Sequence, residues 1–494
     1  MCVGMFMAVL DIQIVASSLP DIQIGLVIPL EQLSWVQTAY LMAEIVAIPL
    51  TGWLTRMAST RIAFACATVG FTVASAGCAA AGSFWSMLTA RVVQGFFGGF
   101  LIPIVFSAIF VMFERPQRSR ATMIAGILAM LAPTLGPTVG GFITERASWH
   151  WLFLINLPAG VAVTLLTLAM VRIDRGSWRE IAGADLGAAP LLAGFLATLQ
   201  VVSSEAPMRG WLSPAMLALA VLCVGCGFGT IRRCLRHRTP LVDLAPFRER
   251  NFAIGCWFSF MLGVGLYGAT YLLPLFLGLV REHDALEIGA IMIVTGGAQL
   301  AAAPVATLLE TRLNPMLLTG FGYAMLAAGC LGNGFMTPAT DFWGLAAQQA
   351  ARGIAFMFCL LPTTALALDH LPPVSVPNAS GLFNLMRNLG GAVGLALIGS
   401  IVETRAPEHA AALVERLQAG DREAARFVGL PLDQFTGQPL GPIDQATRDL
   451  VAPMVERAGL TAAFNEAWLL VGGVVLLSLL LLPLLARHRR HPDE

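Results

Sequence analysis

The chain has 494 residues, of which 57% are hydrophobic and only 12% charged, with a mean hydropathy of +0.75. Soluble globular chains carry about a quarter charged residues, so these values exclude a soluble fold and describe an all-α polytopic membrane protein. A net charge of zero, with no basic block outside the short loops, argues against a nucleic-acid partner, and nine cysteines, odd in number and nearly all in apolar segments, give no disulfide framework.

Apolar runs divided by short charged turns predict fourteen spans, at about 3–21, 34–54, 61–82, 86–113, 121–144, 151–171, 186–203, 212–231, 252–279, 288–309, 315–336, 343–368, 379–402 and 464–486. The first has no basic n-region and no small-residue cleavage site, so a span is expected there rather than a cleaved signal. Trp35, Trp53, Trp85, Trp149, Trp151, Trp211, Trp343 and Trp468 fall near predicted span ends, where interfacial anchors sit.

Asp11 lies midway along span 1 and Glu44 midway along span 2, both at membrane depth on this reading. An Asp at a helix centre costs roughly 2.5–3.5 kcal/mol on insertion scales, so it needs a partner, a wet cavity or a proton. A carboxyl group so placed can load and release a proton near neutral pH; the plainer alternative is a hydrogen bond to a neighbouring helix. Arg91 in span 4 cannot discharge, so it must face protein or water and can hold a nearby carboxylate ionised. Gln94, Gly95, Gly98 and Gly99 follow it, the glycines permitting close helix approach. In span 5, LAPTLGPTVGG combines Pro133 and Pro137 with Gly136, Gly140 and Gly141, a pattern that predicts a bendable and closely packed helix.

Spans 7 and 8 come next, and Cys223 and Cys226 in span 8 spell C-x-x-C, read as small residues packing between helices. Spans 12 and 13 carry Arg352 and Arg387. The connection at about 403–463 alternates helix-like patches with Gly/Pro turns and is expected to be a partly helical outward loop, either inert or a docking surface. PLTGWLTRM (49–57) is echoed by PVATLLETR (304–312), and TARVV (89–93) by AARGI (350–354). Two six-helix halves with two helices inserted between them explain both echoes, and such repeats suggest a transporter with its site between the halves. The expected domains are 1–172, a six-helix bundle; 173–250, two inserted helices and a linker; and 251–494, a second six-helix bundle.

Every basic residue is Arg. Eighteen fall in loops on one side and in the C-terminal tail, whereas the short loops on the other side hold only Arg146, Arg209 and Arg281. The positive-inside rule then puts both termini in the cytoplasm. A chain without Lys has no Walker-type phosphate loop and no H-E-x-x-H occurs, which argues against ATP hydrolysis by this chain and against a metalloprotease. No cofactor or metal is implied.

The motifs taken together resemble the fourteen-spanner drug:proton antiporters of the major facilitator superfamily, the EmrB/QacA type. LDIQIVASSLP (10–20), WVQTAYLMAEIVAIPLTGWL (35–54), RVVQG (91–95), GPTVGG (136–141) and WHWLFLINLPAG (149–160) carry the likeness, with PLVDLAPFRERNFAIGC (240–256) and FNLMRNLGGAVG (383–394) in the second half. The resemblance implies the major facilitator fold and proton-driven efflux of hydrophobic or amphipathic compounds across a bacterial inner membrane. It implies that Asp11 and Arg91 couple protons, that Gly136 and Pro137 belong to an antiporter motif, and that Gly52 and Arg61 lie on a conformational-switch loop. Glu44 is a second proton-coupling candidate, and Gln94, Arg352 and Arg387 are candidate substrate or charge sites. The switch loop departs from the wider pattern, with Arg56 in place of Asp and Ser59 in place of Gly, and Ala132 replaces a Gly before Gly136. The resemblance also implies a membrane-fusion adaptor and an outer-membrane channel as partners. Nutrient uptake by proton symport, or a non-transporting membrane sensor, are the alternatives.

Overall fold

The computed structural model describes residues 1–494 except 29–34, 175, 178–184, 186, 238–239, 284, 373–374, 432–444 and 485–494, and excludes the side chains of 16–17, 20, 115–116, 130, 133–134, 137–138, 285–286 and 445–449. No strand occurs among the described residues. The first half contains α1 (Cys2–Ser17), α2 (Leu19–Leu26), α3 (Trp35–Ala47), α4 (Thr51–Ala58), α5 (Thr60–Ala79), α6 (Phe84–Met112), α7 (Arg115–Arg146), α8 (His150–Leu154) and α9 (Asn156–Met170). Two helices follow, α10 (Ala188–Arg209) and α11 (Pro214–Arg236). The second half contains α12 (Arg250–Leu279), α13 (Ala285–Arg312), α14 (Pro315–Gly332), α15 (Phe342–Leu368), α16 (Val376–Gln418), α17 (Arg422–Val428) and α18 (Gln445–Ser478).

Helix starts follow capping chemistry. The Ser83 and Ser86 side chains each accept from the other's backbone N–H at the head of α6, and Asn314 and Asp341 accept from Met316 and Gly344 at the heads of α14 and α15. Twelve helical segments among the described residues are long and apolar enough to cross a membrane. With α1, apolar but 16 residues long, and α7, whose 32 residues include a charged first turn and a Gly/Pro-rich stretch, they make the fourteen spans.

Two six-helix bundles with two extra helices result. One apolar core gathers Met5, Phe64, Phe71, Leu101 and Val163 from the first half, and a larger one gathers Phe258, Phe276, Leu326, Leu361 and Trp468 from the second. A third joins Ile45, Ile48 and Phe110 to Leu192 and Leu196 of α10 and to Ala367 and Leu382. The α15 span is 83% buried and central, whereas α11 is only 22% buried and presents Leu217, Val221, Val224 and Phe228 outward. An apolar surface of that kind is a lipid face. All nine cysteines are free, and Cys226 packs on Gly194 of α10.

Two expectations need correction. Trp149 and Trp468 are 6% and 0% exposed, so they are core residues and not interfacial anchors; Trp85, Trp151, Trp211 and Trp343 are exposed. The connection at 403–463, expected to be partly helical, is helical over more of its length than that: α16 runs on to Gln418, α17 follows, and α18 begins at Gln445. Its helices close over a small apolar core of their own, including Leu413, Leu417, Ala425, Val428 and Val455. Arg405 ties α16 to Glu466 of α18 through Nε and Nη2, at 2.9 and 3.0 Å. Residues 432–444 of this stretch lie outside the described residues.

Candidate functional site

Asp11 is fully buried on α1, and three side chains from two helices satisfy its carboxylate. Its Oδ2 accepts from Arg91 Nη1 of α6 at 2.6 Å. Its Oδ1 accepts from Gln94 Nε2 at 2.9 Å and from Asn156 Nδ2 of α9 at 2.7 Å. The second layer is equally specific. Gln94 Nε2 also reaches Ser75 Oγ of α5 at 2.8 Å, and Gln94 Oε1 accepts from Arg91 Nη1 at 2.7 Å. Arg91 Nε donates to the Val36 carbonyl of α3 at 3.0 Å, and the guanidinium lies 4.3 Å from the Tyr40 ring centroid. Five helices thus meet around one ion pair. A buried ion pair is stable only when further hydrogen bonds satisfy its remaining groups, and here all but Arg91 Nη2 are satisfied.

Asp11, Arg91 and Gln94 were legible as a set of polar residues at depth. Asn156, Ser75 and Tyr40 carry little signal in the sequence, because an uncharged polar residue in an apolar span is common. The Asn156 amide in WHWLFLINLPAG, next to a helix start, was the available clue.

Glu44 is buried but does not join this cluster. The cluster meets α3 at Val36 and Tyr40, and Glu44 lies eight residues beyond Val36, about 12 Å along a helix rising about 1.5 Å per residue. The two acids are therefore at different depths, not level as the span counts suggested. Electrostatically, Glu44 reaches Arg91 and Tyr40 within its own half and Tyr267 of α12 across the gap. Tyr267 donates to Asn388 Oδ1 at 3.1 Å, and Arg387, one residue earlier on α16, lies 5.8 Å from the ring centroid of Phe106 on α6. Arg387 also donates to Asn384. Glu44, Tyr267 and Arg387 therefore stand where the halves face each other.

The residues expected to form an antiporter motif lie on α7, which is one continuous helix from Arg115 to Arg146. A Cβ on Gly136 would sit 2.3 Å from Gln13 Cβ of α1, so the glycine lets α7 approach the Asp11 helix closely. The Gly140 carbonyl accepts from Thr144, whose hydroxyl pairs with Ser18 at 2.8 Å. Gly141 lies one residue further along α7, and the side chains of Pro133 and Pro137 are outside the described ones.

At the other end of α7 the halves are bolted together. Arg118 bonds Asp369 at the end of α15 at 2.5 Å and stacks 4.7 Å from Phe110, while Ser119 donates to Glu310 of α13. Gln299 of α13 donates to the Gly126 carbonyl, and Ser380 of α16 to the Pro103 carbonyl. Gly52 lies in this seam: a Cβ there would be 2.7 Å from Asn378 Cα. Arg56, near the end of α4, and Arg61, in the first turn of α5, flank the turn expected to act as a switch. Ser59, where a Gly is usual, has φ 75° and ψ 154°. Asp174 straps the turn from outside, accepting from Thr60 N at 2.9 Å and Thr60 Oγ1 at 3.0 Å, and Ser177 N donates to the Arg56 carbonyl at 2.9 Å.

Arg352 is buried in the second half on α15, 4.7 Å from the Trp468 ring centroid, and among the described residues bonds only Gln349, at 2.9 Å. No His/Cys/Asp/Glu cluster of metal-binding kind occurs among the described residues.

Comparison with known proteins agrees with this architecture. The family model of the Major Facilitator Superfamily matches residues 1–395. The chain is 36% identical to the colistin resistance protein EmrB of Acinetobacter baumannii, over 94% of this chain and 91% of that one. It is 30% identical to the multidrug export protein EmrB of Escherichia coli, over 96% and 92% respectively. Among solved structures, the human organic anion transporter MFSD10 (TETRAN) shares the fold with a TM-score of 0.58 at 13% identity, covering 96% of this chain and 97% of that one.

Proposed function

The chain belongs to the Major Facilitator Superfamily, with EmrB-type exporters as its relatives, and from that membership we propose that it exports hydrophobic and amphipathic organic compounds in exchange for protons by alternating access. The superfamily is one of transporters rather than enzymes, and the chain is a multi-pass membrane protein. The proton gradient is the energy source, and no cofactor enters the cycle.

One observation carries the mechanism: a single carboxylate, Asp11, holds α1 to α6 and α9 through Arg91, Gln94 and Asn156. A proton on Asp11 cancels the charge that Arg91 balances and removes one acceptor oxygen from the set. The α1 helix is then freed to move with α7, against which it packs through Gly136. Arg91 keeps its charge throughout, so the protonated state carries a buried cation without a counterion, and that state is the high-energy one that movement relieves. Glu44 and Arg387, facing the gap, contact substrate or a second proton there.

The arginine distribution supports a topology with both termini and the Arg118 end in the cytoplasm of a bacterial cell and the chain in the inner membrane. The Arg118–Asp369 and Ser119–Glu310 bonds then close the cytoplasmic side, and export begins when they part. Residues 1–172 and 251–494 are the two bodies that move, with 173–250 between them. The helical projection of α16, α17 and α18 faces outward and offers a surface for a membrane-fusion adaptor leading to an outer-membrane channel.

Inverted vesicles test the proposal. A proton gradient is imposed and a panel of lipophilic compounds is added to vesicles holding wild type or Asp11→Asn. Substrate-triggered collapse of the gradient in wild type, lost in a variant that still runs as a single species on size exclusion, is the expected result. Collapse that survives in Asp11→Asn would remove Asp11 from the proton path.

A further inference from the structure

The second half holds a buried arginine that has no counterion among the described residues. Arg352 is 5% exposed; its Nη2 donates to Gln349 Oε1, and its Nε and Nη1 have no hydrogen-bond partner. Among the described residues no carboxylate pairs with it, and α12, which runs beside it, carries no acidic residue between Asn251 and Leu279. Gln349 is itself committed, donating to the Ile291 carbonyl at 3.1 Å and accepting from Thr295. Trp468 covers one face of the guanidinium at 4.7 Å.

A cavity lies beside Arg352, which lines it together with Leu262, Leu266, Thr270, Thr295, Gln349 and Phe356. Its volume is about 30 Å³, against roughly 10–15 Å³ for one water, so there is room for a carboxylate head group. A fixed cation in such walls is stabilised by one negative charge, whereas a dianion would leave the site with a buried excess. We propose that Arg352 and this cavity bind the carboxylate of an amphipathic organic acid, with Leu262, Leu266 and Phe356 receiving the first methylenes of its chain. This names a substrate class for the exporter and rests on the export reading only in calling that ligand a substrate; the binding itself does not depend on it.

The test uses the purified full chain in non-ionic detergent, with radiolabelled decanoate in a scintillation proximity assay. In wild type, unlabelled decanoate is expected to compete about ten- to a hundred-fold better than methyl decanoate or decyltrimethylammonium, since a hydrogen bond to a charged group is at stake. Chloride is expected not to compete. Arg352→Gln is expected to weaken decanoate binding by a similar factor, and Thr270→Asp, which supplies a carboxylate inside the cavity, to block it with the arginine in place. Equal competition by the ester or the ammonium compound, effective competition by chloride, or unchanged affinity in a folded Arg352→Gln would each overturn the site. The wild-type arms stand even where a variant does not fold. Decanoate binding without substrate-triggered proton flux would leave the site standing and sink the export reading; flux with cationic compounds but no decanoate binding would do the reverse.

Discussion

Arg91 and Arg352 occupy corresponding spans of the two halves, α6 and α15, and both are at least 95% buried, yet their surroundings differ in kind. Arg91 faces a carboxylate, a glutamine, a carbonyl and an aromatic ring. Arg352 faces a glutamine, an aromatic ring and empty space. Each half thus holds a buried arginine on the corresponding span, and among the described residues only the first pairs it with a carboxylate. The first half neutralises its arginine internally, whereas in the second no carboxylate among the described residues does so.

Truncating the two arginines breaks this comparison most directly. Removing one partner of a buried ion pair costs about 3–5 kcal/mol, because the other charge is left stranded. Arg91→Met is therefore expected to lower the stability of the detergent-solubilised protein by about that much and to abolish proton coupling. Arg352→Met strands nothing and removes a poorly satisfied cation, so stability is expected to hold or rise, by up to about 1–3 kcal/mol. Parallel thermal melts without added organic acid decide the matter; two equal losses would show that Arg352 has a partner in the protein after all.

Helix packing beside the two arginines, unlike their charge environment, is alike. A Cβ on Gly95 would come 2.2 Å from the Tyr40 carbonyl oxygen, and one on Gly353 would come 2.2 Å from the Thr295 carbonyl oxygen. Backbone oxygens cannot step aside as a side chain can, so each contact forces two helices apart. Gly95→Ala and Gly353→Ala are expected to cost about 1–3 kcal/mol each, and similarly, in the same melts. A marked inequality would mean that the halves differ in packing as well as in charge.

Much of this was legible in the sequence. Fourteen apolar runs gave fourteen spans because a helix that must cross lipid has to be apolar along its length. Asp11 and Arg91 stood out because charge at that depth is costly. What escaped notice was uncharged or depended on register. Asn156 and Ser75 complete the Asp11 site, yet amides and hydroxyls are common in membrane helices. The offset of Glu44 from Asp11 depends on how two helices slide past each other, which no count along one chain records. Trp468 was assigned to an interface because it lies near a span end, but α18 begins well before the predicted boundary and carries Trp468 into the core beside Arg352. The bolt formed by Arg118, Asp369, Ser119 and Glu310 joins residues from three loop-proximal helix ends that sequence gives no reason to pair.

The switch turns extend the asymmetry to the loops, with a smaller effect. In the second half the turn after α13 reaches Asn314, whose φ of −68° is unstrained and whose side chain caps α14. In the first half the matching turn places Ser59 at φ 75° and ψ 154°, a region populated almost solely by glycine and costing other residues about 1–3 kcal/mol. Asp174 and Ser177 hold that turn from outside, so its strain is balanced by bonds to a segment beyond α9. Ser59→Gly removes the strain but also the Ser59 Oγ cap on Ile62 N, a long bond at 3.4 Å. The net expectation is a gain of about 1 kcal/mol, and a smaller loss on Asp174→Ala in the Ser59→Gly background than in wild type. A double-variant cycle of melting temperatures reads this coupling directly. If the two changes add without interaction, the Asp174 bonds serve Thr60 alone and the strained turn is held by α4 and α5 themselves.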